Sequence, residues 1–383
     1  MSNRKWDLYQ SQRQSGYAEV EVPELPDFSF QFERLSGGLS DGVDLLTVKN
    51  GNLAIKILPT RGMGIWDMTY DGTRIGWQSP VRGPVHPNYV NLAEPSGLAW
   101  LDGFDELLVR CGLQTNGAPE FSEEGVLRYP LHGRIANLPA RHLEIEADPT
   151  AESITVTGIV EETRFHFAKL RLTTKLTTRR GQKGFTLCDS IENLSESSTN
   201  AQLLYHLNIG LPLLQSGTRI VAPLDTAAPR DAFSGQTMET WDQIGPAGSM
   251  LTEQAYYLRL LTDQHSQSRV VLQDEAAQSG VSLGYDAGSM PCFTFWKNPR
   301  AASDGYVVGL EPGTNYPNPH SFEKEQGRTH RLPPYGAVVC QLCFEYLATP
   351  SDVVSAVRTI NQIQGDHRPN IQDQPVAGWS PTV

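Results

Sequence analysis

Residues 203–214 read LLYHLNIGLPLL, a run apolar enough for a strand buried on at least one face, yet it carries an imidazole and a carboxamide two residues apart. In a strand His206 and Asn208 share one face, so either both are satisfied polar groups of the core or that face lines a pocket. A second interruption lies near the other end of the chain, where GYVVGLEPGTNYPNP runs a strand straight into Glu311 before Pro312 and Gly313 turn it. A carboxyl held where a buried strand emerges is rigid and partly desolvated, which raises its pKa and makes it a usable proton acceptor near neutrality. The plainer reading is a surface glutamate at a turn.

Three further clusters break apolar or turn-rich contexts. In YPLHGRIANLPA, His132 precedes Gly133 and Arg134; a histidine beside a glycine can present its ring to a cleft, whereas a lone histidine is more often structural. In LPTRGMGIWDM, Arg61 sits in a Gly-flanked turn after a strand, where it either meets a ligand or simply belongs to the turn. WLDGFDELLVRCGLQTNGAP mixes Asp102, Asp105, Arg110 and Asn116, and Arg110 can equally form an internal ion pair or hold a ligand. The inventory is two histidines, a glutamate and several arginines, with no Gly-rich phosphate loop, HExxH pair or GxSxG elbow. It suits proton transfer on a neutral polar ligand better than nucleotide chemistry.

The composition narrows the partners. The chain has 383 residues, 19% charged and 39% hydrophobic, with a net charge of -12. That balance is globular and disfavours nucleic-acid binding, which needs a concentrated basic surface. A few arginines can still make a local anion pocket in an acidic protein. The N-terminal MSNRKWDLYQSQRQSG lacks the apolar centre of a signal peptide, and no uninterrupted stretch is long enough to span a bilayer, so a cytoplasmic protein without a membrane partner is expected. The five cysteines are too dispersed for a disulfide framework; Cys340 and Cys343 form a CxxC, but in an apparent strand they point to opposite faces, and a structural reading is preferred over redox or metal work.

The elements that must position these residues are mostly strands. GNLAIKILP, RHLEIEA, SITVTGIVEETRF, AKLRLTTKLTTRR, GFTLCDSIENL, SRVVLQDE, YVVGLEP and AVVCQLCFEYL carry β-branched or alternating residues and end at turn formers. Residues 151–194 read as an antiparallel meander. The best helical signal is 351–363, with Ser351 as a cap and Val354, Val357 and Ile360 at helical spacing. The expected organisation is an all-β, large antiparallel sandwich with few short helices: an extended lead-in over 1–35, one β-sandwich domain over 36–350, and a C-terminal helix and tail over 351–383.

The ordered combination of LPTRGMGI, CGLQTNGAP, LHGRIANLPA, DSIENLSESSTNAQLLYHLNIG, PCFTFWKN and LEPGTNYPNP resembles the aldose 1-epimerase (galactose mutarotase) superfamily, in a bacterial branch of epimerase-like proteins, over roughly residues 45 to 348. The resemblance implies a galactose mutarotase-like supersandwich with a cleft on one sheet, His206 as general acid, Glu311 as general base facing it across the sugar ring, and His132 positioning the sugar. An ordinary histidine titrates at about 6.5, and a nearby carboxylate would raise the protonated fraction. The departures from the family pattern are LHGR, where a second glycine is expected, and the family's sugar-holding aspartate, which has no aligned position here, with Asp225, Asp231 and Asp242 as candidates. Asn208, Arg61, Arg110, Arg134, Lys297 and Asn315 are then candidates to bind hydroxyls or an acidic group on the sugar, with Trp296 as an apolar platform or a core residue. The implied activity is anomer interconversion of a small-molecule sugar with no metal or organic cofactor. A sugar-binding protein without catalysis is the alternative, and a metal site of His132, His206 and Glu311 is the least favoured. Oligomeric state is left open.

Overall fold

The alternation read from the sequence is what builds the two sheets. Along His142–Asp148, Leu143, Ile145 and Ala147 are buried while the residues between them are half-exposed, and the same period of two runs through Ser153–Thr163, Lys169–Arg179 and Gly184–Asn193. These four strands pair consecutively and antiparallel, then continue through Ala337–Leu347 and Gly280–Asp286 in a nine-stranded sheet. The computed structural model describes residues 3–11 and 19–381.

The second sheet is larger, and its centre runs in the order Gly64–Tyr70, Leu108–Leu113, Thr199–Gly210, Val307–Gly313, Cys292–Asn298, Gln254–Leu260. Alternate residues of Thr199–Gly210 divide between two environments. Leu203, Tyr205, Leu207 and Ile209 enter the core shared with the nine-stranded sheet, whereas Leu204 packs in a separate cluster with Trp77, Trp100 and Phe104 on the outer face. His206 and Asn208 share that outer face by strand parity. The result is the all-β sandwich of two large sheets that the sequence pattern leads one to expect.

A charged rivet joins the layers. Arg110, on Leu108–Leu113, reaches across the core to Asp189 on the opposite sheet, with Nε–Oδ2 at 2.5 Å and Nη2–Oδ1 at 3.1 Å. Tyr205 donates its hydroxyl to the same carboxylate at 2.8 Å, and Thr174 accepts from Arg110 at 2.7 Å. Both charges are fully buried, so the pair holds its place only because these bonds satisfy it.

Two expectations need correction at the ends of the chain, the lead-in and the cap and stripe of the helix. Phe28–Arg34, inside the supposed lead-in, is a full strand paired in register with Asp44–Asn50, because Phe28, Phe30 and Phe32 alternate into the core; Arg4–Asp7 also pairs, with Glu144–Ala147. Residues 1, 2 and 12–18 of that lead-in lie outside the described residues. The helix spans Pro350–Gln364, but Thr349 caps it in a capping box with Asp352, and Val353, Ala356 and Ile360 form its buried stripe while Val354 is exposed. The tail docks: Asn370–Ile371 pairs with Thr226–Ala227, and Trp379 packs on Tyr316 at 5.3 Å. No helix among the described residues is long and apolar enough to cross a membrane.

Candidate active site

On the outer face of the larger sheet, neighbouring strands bring His206 and Glu311 together. Leu207 pairs with Leu310 and Asn208 with Gly309, which sets His206 Nε2 3.2 Å from Glu311 Oε1. That oxygen is buried and has no hydrogen-bond partner among the described residues, although the distance is that of an ion pair, so the two atoms are close without an aligned N–H. His206 Nδ1 lies 2.7 Å from Asn208 Oδ1. The Asn208 amide can be oriented only one way, because its Nδ2 donates to the carbonyls of Glu106 (3.0 Å) and His206 (3.1 Å). Its oxygen therefore accepts from Nδ1–H, and Nε2 of the neutral ring is left as an acceptor toward Glu311.

Electrostatics then decides where the proton between them rests. Burial, helped by neighbouring His132, pushes His206 down to about 3, and burial pushes the Glu311 carboxyl well above its ordinary range. Burial thus favours the neutral forms of both groups, a carboxylic acid beside an unprotonated imidazole. This reverses the expectation of a protonated histidine: desolvation outweighs the attraction of the carboxylate. The expected placement across a sugar ring is also corrected, since groups 3.2 Å apart lie side by side.

The cover over the pair is aromatic. Phe104, Trp296, His132 and Trp100 surround the His206 ring at centroid distances of 5.0, 5.4, 5.7 and 6.0 Å. His132 is held as His206 is, with Nδ1 2.8 Å from the Asn116 carbonyl, so it donates there and keeps Nε2 as an acceptor; burial lowers it to about 4. His132 and Trp296 retain partial exposure, whereas His206 and Glu311 are 5% and 2% exposed. Trp296 Nε1 donates to Glu253 at 3.0 Å, and Glu253 also accepts from Arg230.

Several candidates lie elsewhere. Arg61 is 1% exposed and its donors go to Glu106, Val85 O, Asn137 and Gly103 O at 2.7–3.0 Å; like Arg110, it is an internal tie and not a ligand contact. Lys297 is adjacent to Trp296 in a strand and so projects to the other face, where its ammonium donates to Thr240 O and Gln243 O over the Tyr256 ring. Asn315 is fully buried in a reciprocal amide pair with Asn116, at 2.7 and 3.0 Å, which fastens the loop that holds His132. Asn208 positions His206. Arg134 is exposed and lines a cavity of about 1300 Å³ that His206, Glu311, His132 and Trp296 do not line. Of the aspartates, Asp225 pairs with His367, Asp242 with Arg219, and Asp231 caps a short helix and pairs with Arg230.

Sequence reasoning missed Gly309, Trp100, Glu253 and Arg230. A Cβ on Gly309 would strike Glu311 Oε1 and lie 3.1 Å from His206 Cε1, so this glycine makes room for the pair; a glycine inside the strand VVGLEP was its signal. Trp100 carries a buried indole N–H with no partner among the described residues.

The sandwich is that of galactose mutarotase-like proteins. The fold recurs in a galactose mutarotase-like protein from Clostridium acetobutylicum (14% identity, TM-score 0.58, 84% of this chain and 98% of that one) and in galactose 1-epimerase from Lactobacillus acidophilus NCFM (12%, 0.55, 83% and 98%). The chain belongs to the family described as domain of unknown function DUF4432, whose model matches residues 40–345. A crystal structure from Klebsiella pneumoniae subsp. pneumoniae MGH 78578, described as a "putative aldose 1-epimerase", is 31% identical over 98% of this chain and 100% of that one, with a TM-score of 0.93. No curated protein sequence matches the chain.

Proposed function

We propose that the protein is an aldose 1-epimerase-type isomerase that interconverts the anomers of a sugar by acid–base ring opening, with His206 and Glu311 as its catalytic pair. The observation that carries this reading is the 3.2 Å approach of Nε2 to an unpartnered, buried carboxyl oxygen. The ring oxygen and the anomeric hydroxyl oxygen are both bonded to C1, so the acid and base that serve them must be neighbours. Adjacent strands supply that spacing.

The proton count closes. In the neutral pair Glu311 donates its proton to the ring oxygen as the C1–O bond breaks, while His206 Nε2 takes the proton of the anomeric hydroxyl. An aldehyde results, with a carboxylate and an imidazolium left behind. After rotation about C1–C2, His206 returns a proton to the aldehyde oxygen and Glu311 takes one from the attacking hydroxyl, restoring the neutral pair. Each group is acid in one half and base in the other, and such transfers typically contribute about 100- to 10,000-fold. His132 Nε2 accepts a sugar hydroxyl, and the Trp296 face receives the apolar side of the ring.

The test is exchange NMR or polarimetry on a panel of aldoses, with His206→Ala and Glu311→Gln as controls. Acceleration above the uncatalysed rate, lost by at least about 100-fold in either variant, is expected. Calorimetric binding of a sugar without any acceleration would overturn the catalytic reading in favour of a sugar-binding protein.

A further inference from the structure

The cavity of about 1300 Å³ that Arg134 lines is built from loops near residues 86–95, 114–115, 120–130, 133–139, 162–167 and 320–324. Four cationic side chains line it, Arg128, Arg134, Arg164 and Lys324. None of them forms a side-chain hydrogen bond or ion pair among the described residues, although Arg164 lies over the Phe167 ring at 4.5 Å. The two carboxylates of the lining are already engaged by backbone N–H groups: Glu120 accepts from Ser321 at 2.8 Å and Glu162 from Leu113 at 2.7 Å. In a chain of net charge -12, four cations against two carboxylates around one hollow leave a local positive balance, even with Arg128 near Glu124 and Arg134 near Glu162.

A second observation is independent of charge. Ten buried side-chain polar atoms have no partner among the described residues, and three of them, Thr115 Oγ1, Asn137 Nδ2 and His320 Nδ1, belong to residues lining this cavity. Thr115 is 1% and Asn137 7% exposed. The Asn137 amide is oriented by Arg61, which can only donate and does so to Oδ1 at 3.0 Å, leaving Nδ2 as a spare donor. A buried donor without an acceptor is costly, and a ligand oxygen or ordered water is the usual remedy.

We propose that this cavity is a second ligand site, separate from the His206–Glu311 pair, which takes a small hydroxylated organic anion: Arg128, Arg134, Arg164 and Lys324 meet its phosphate or carboxylate, and Asn137 and Thr115 meet its hydroxyls. The volume exceeds the roughly 300–1,000 Å³ of ordinary small-molecule pockets, which leaves room for ordered water around such a ligand.

Calorimetry on the full chain with glucose 6-phosphate, glucuronate and glucose tests it, in low and high salt. At least one anion binds, more weakly in high salt, and glucose at the same concentration does not compete with it. Arg134→Ser and Arg164→Ser, both at exposed positions, each weaken that binding by about tenfold, while His206→Ala and Glu311→Gln leave it unchanged. Binding by only the phosphate ester or only the carboxylate supports the site and identifies its anion. The proposal fails if neither anion binds, if the arginine variants bind as the parent does, or if binding disappears with His206→Ala, which would place the ligand on the catalytic pair. Loss of anomerase activity in the catalytic variants with anion binding intact separates this site from the proposed function.

Discussion

The protonation of the catalytic pair predicts an unusual pH profile. With His206 held at about 3 and Glu311 raised well above its ordinary range by burial, the imidazole stays unprotonated far below neutrality while burial favours the protonated carboxyl. At pH 5 a group titrating at about 3 is protonated in only about 1% of molecules, so anomerase kcat/KM at pH 5 should equal that at pH 7 within error. An ordinary histidine titrating at about 6.5 would instead impose a change of about thirtyfold by pH 5, if it acts as base, or by pH 8, if it acts as acid. Exchange NMR with subtraction of the buffer-catalysed rate measures this directly, with circular dichroism at each pH to show that the chain stays folded. That control matters because the same burial makes stability pH-dependent. For His206 the folded pKa lies below the unfolded one, so the unfolded chain takes the proton first and stability falls as pH drops from about 6.5 toward 3, by about 1.4 kcal/mol per unit at most. An inflection near pH 6.5 in kcat/KM with the fold intact would refute the reasoning.

Other perturbations follow from the same contacts. Gly309→Ala should leave stability within about 1 kcal/mol but lower kcat by at least tenfold, because the new methyl displaces Glu311 Oε1 from Nε2; steady-state kinetics beside urea denaturation separates the two effects. Asn208→Asp places a carboxylate against Nδ1, which raises the His206 pKa and should introduce the acidic limb that the parent lacks, read from the pH–rate profile. Arg110→Ala should cost about 3–5 kcal/mol in urea denaturation by stranding Asp189 in the core, and Arg110→Met with Asp189→Leu should recover most of it. Glu311→Gln removes a carboxyl whose folded pKa is raised, a group whose stabilising contribution is lost as pH rises above its unfolded value near 4.5; the variant should therefore exceed the parent in stability by about 1–3 kcal/mol at pH 8 and by less at pH 4, measured by thermal unfolding.

What could be read in advance and what could not has a physical basis. His206 and Glu311 stood out because a polar group in an apolar strand is expensive and demands a reason. Arg61 and Arg110 were ambiguous because a buried arginine looks the same in one dimension whether it meets a ligand or a carboxylate 45 or 79 residues away. Parity could have separated Trp296 from Lys297, since neighbours in a strand face opposite sides. FSFQFER alternates as plainly as any strand in the chain, and only its place near the terminus made it read as a lead-in. The protonation state was beyond reach, because it depends on the aromatic cover contributed by Trp100 and Phe104 from a distant loop.

The internal arginine nevertheless bears on the chemistry. Arg61 grips the Glu106 carboxylate at 2.7 Å, and the Glu106 carbonyl accepts from both Asn208 Nδ2 and Trp77 Nε1 at 3.0 Å. Asn208 in turn fixes which nitrogen of His206 carries the proton. A charge that never meets the sugar thus holds the main-chain oxygen that orients the amide that sets the tautomer. This explains why a loop so rich in polar groups is buried beside the site: its bonds are spent keeping one nitrogen lone pair aimed at Glu311. Burial that makes the pair reactive by withholding water must also supply, from the protein itself, every hydrogen bond that water would have made.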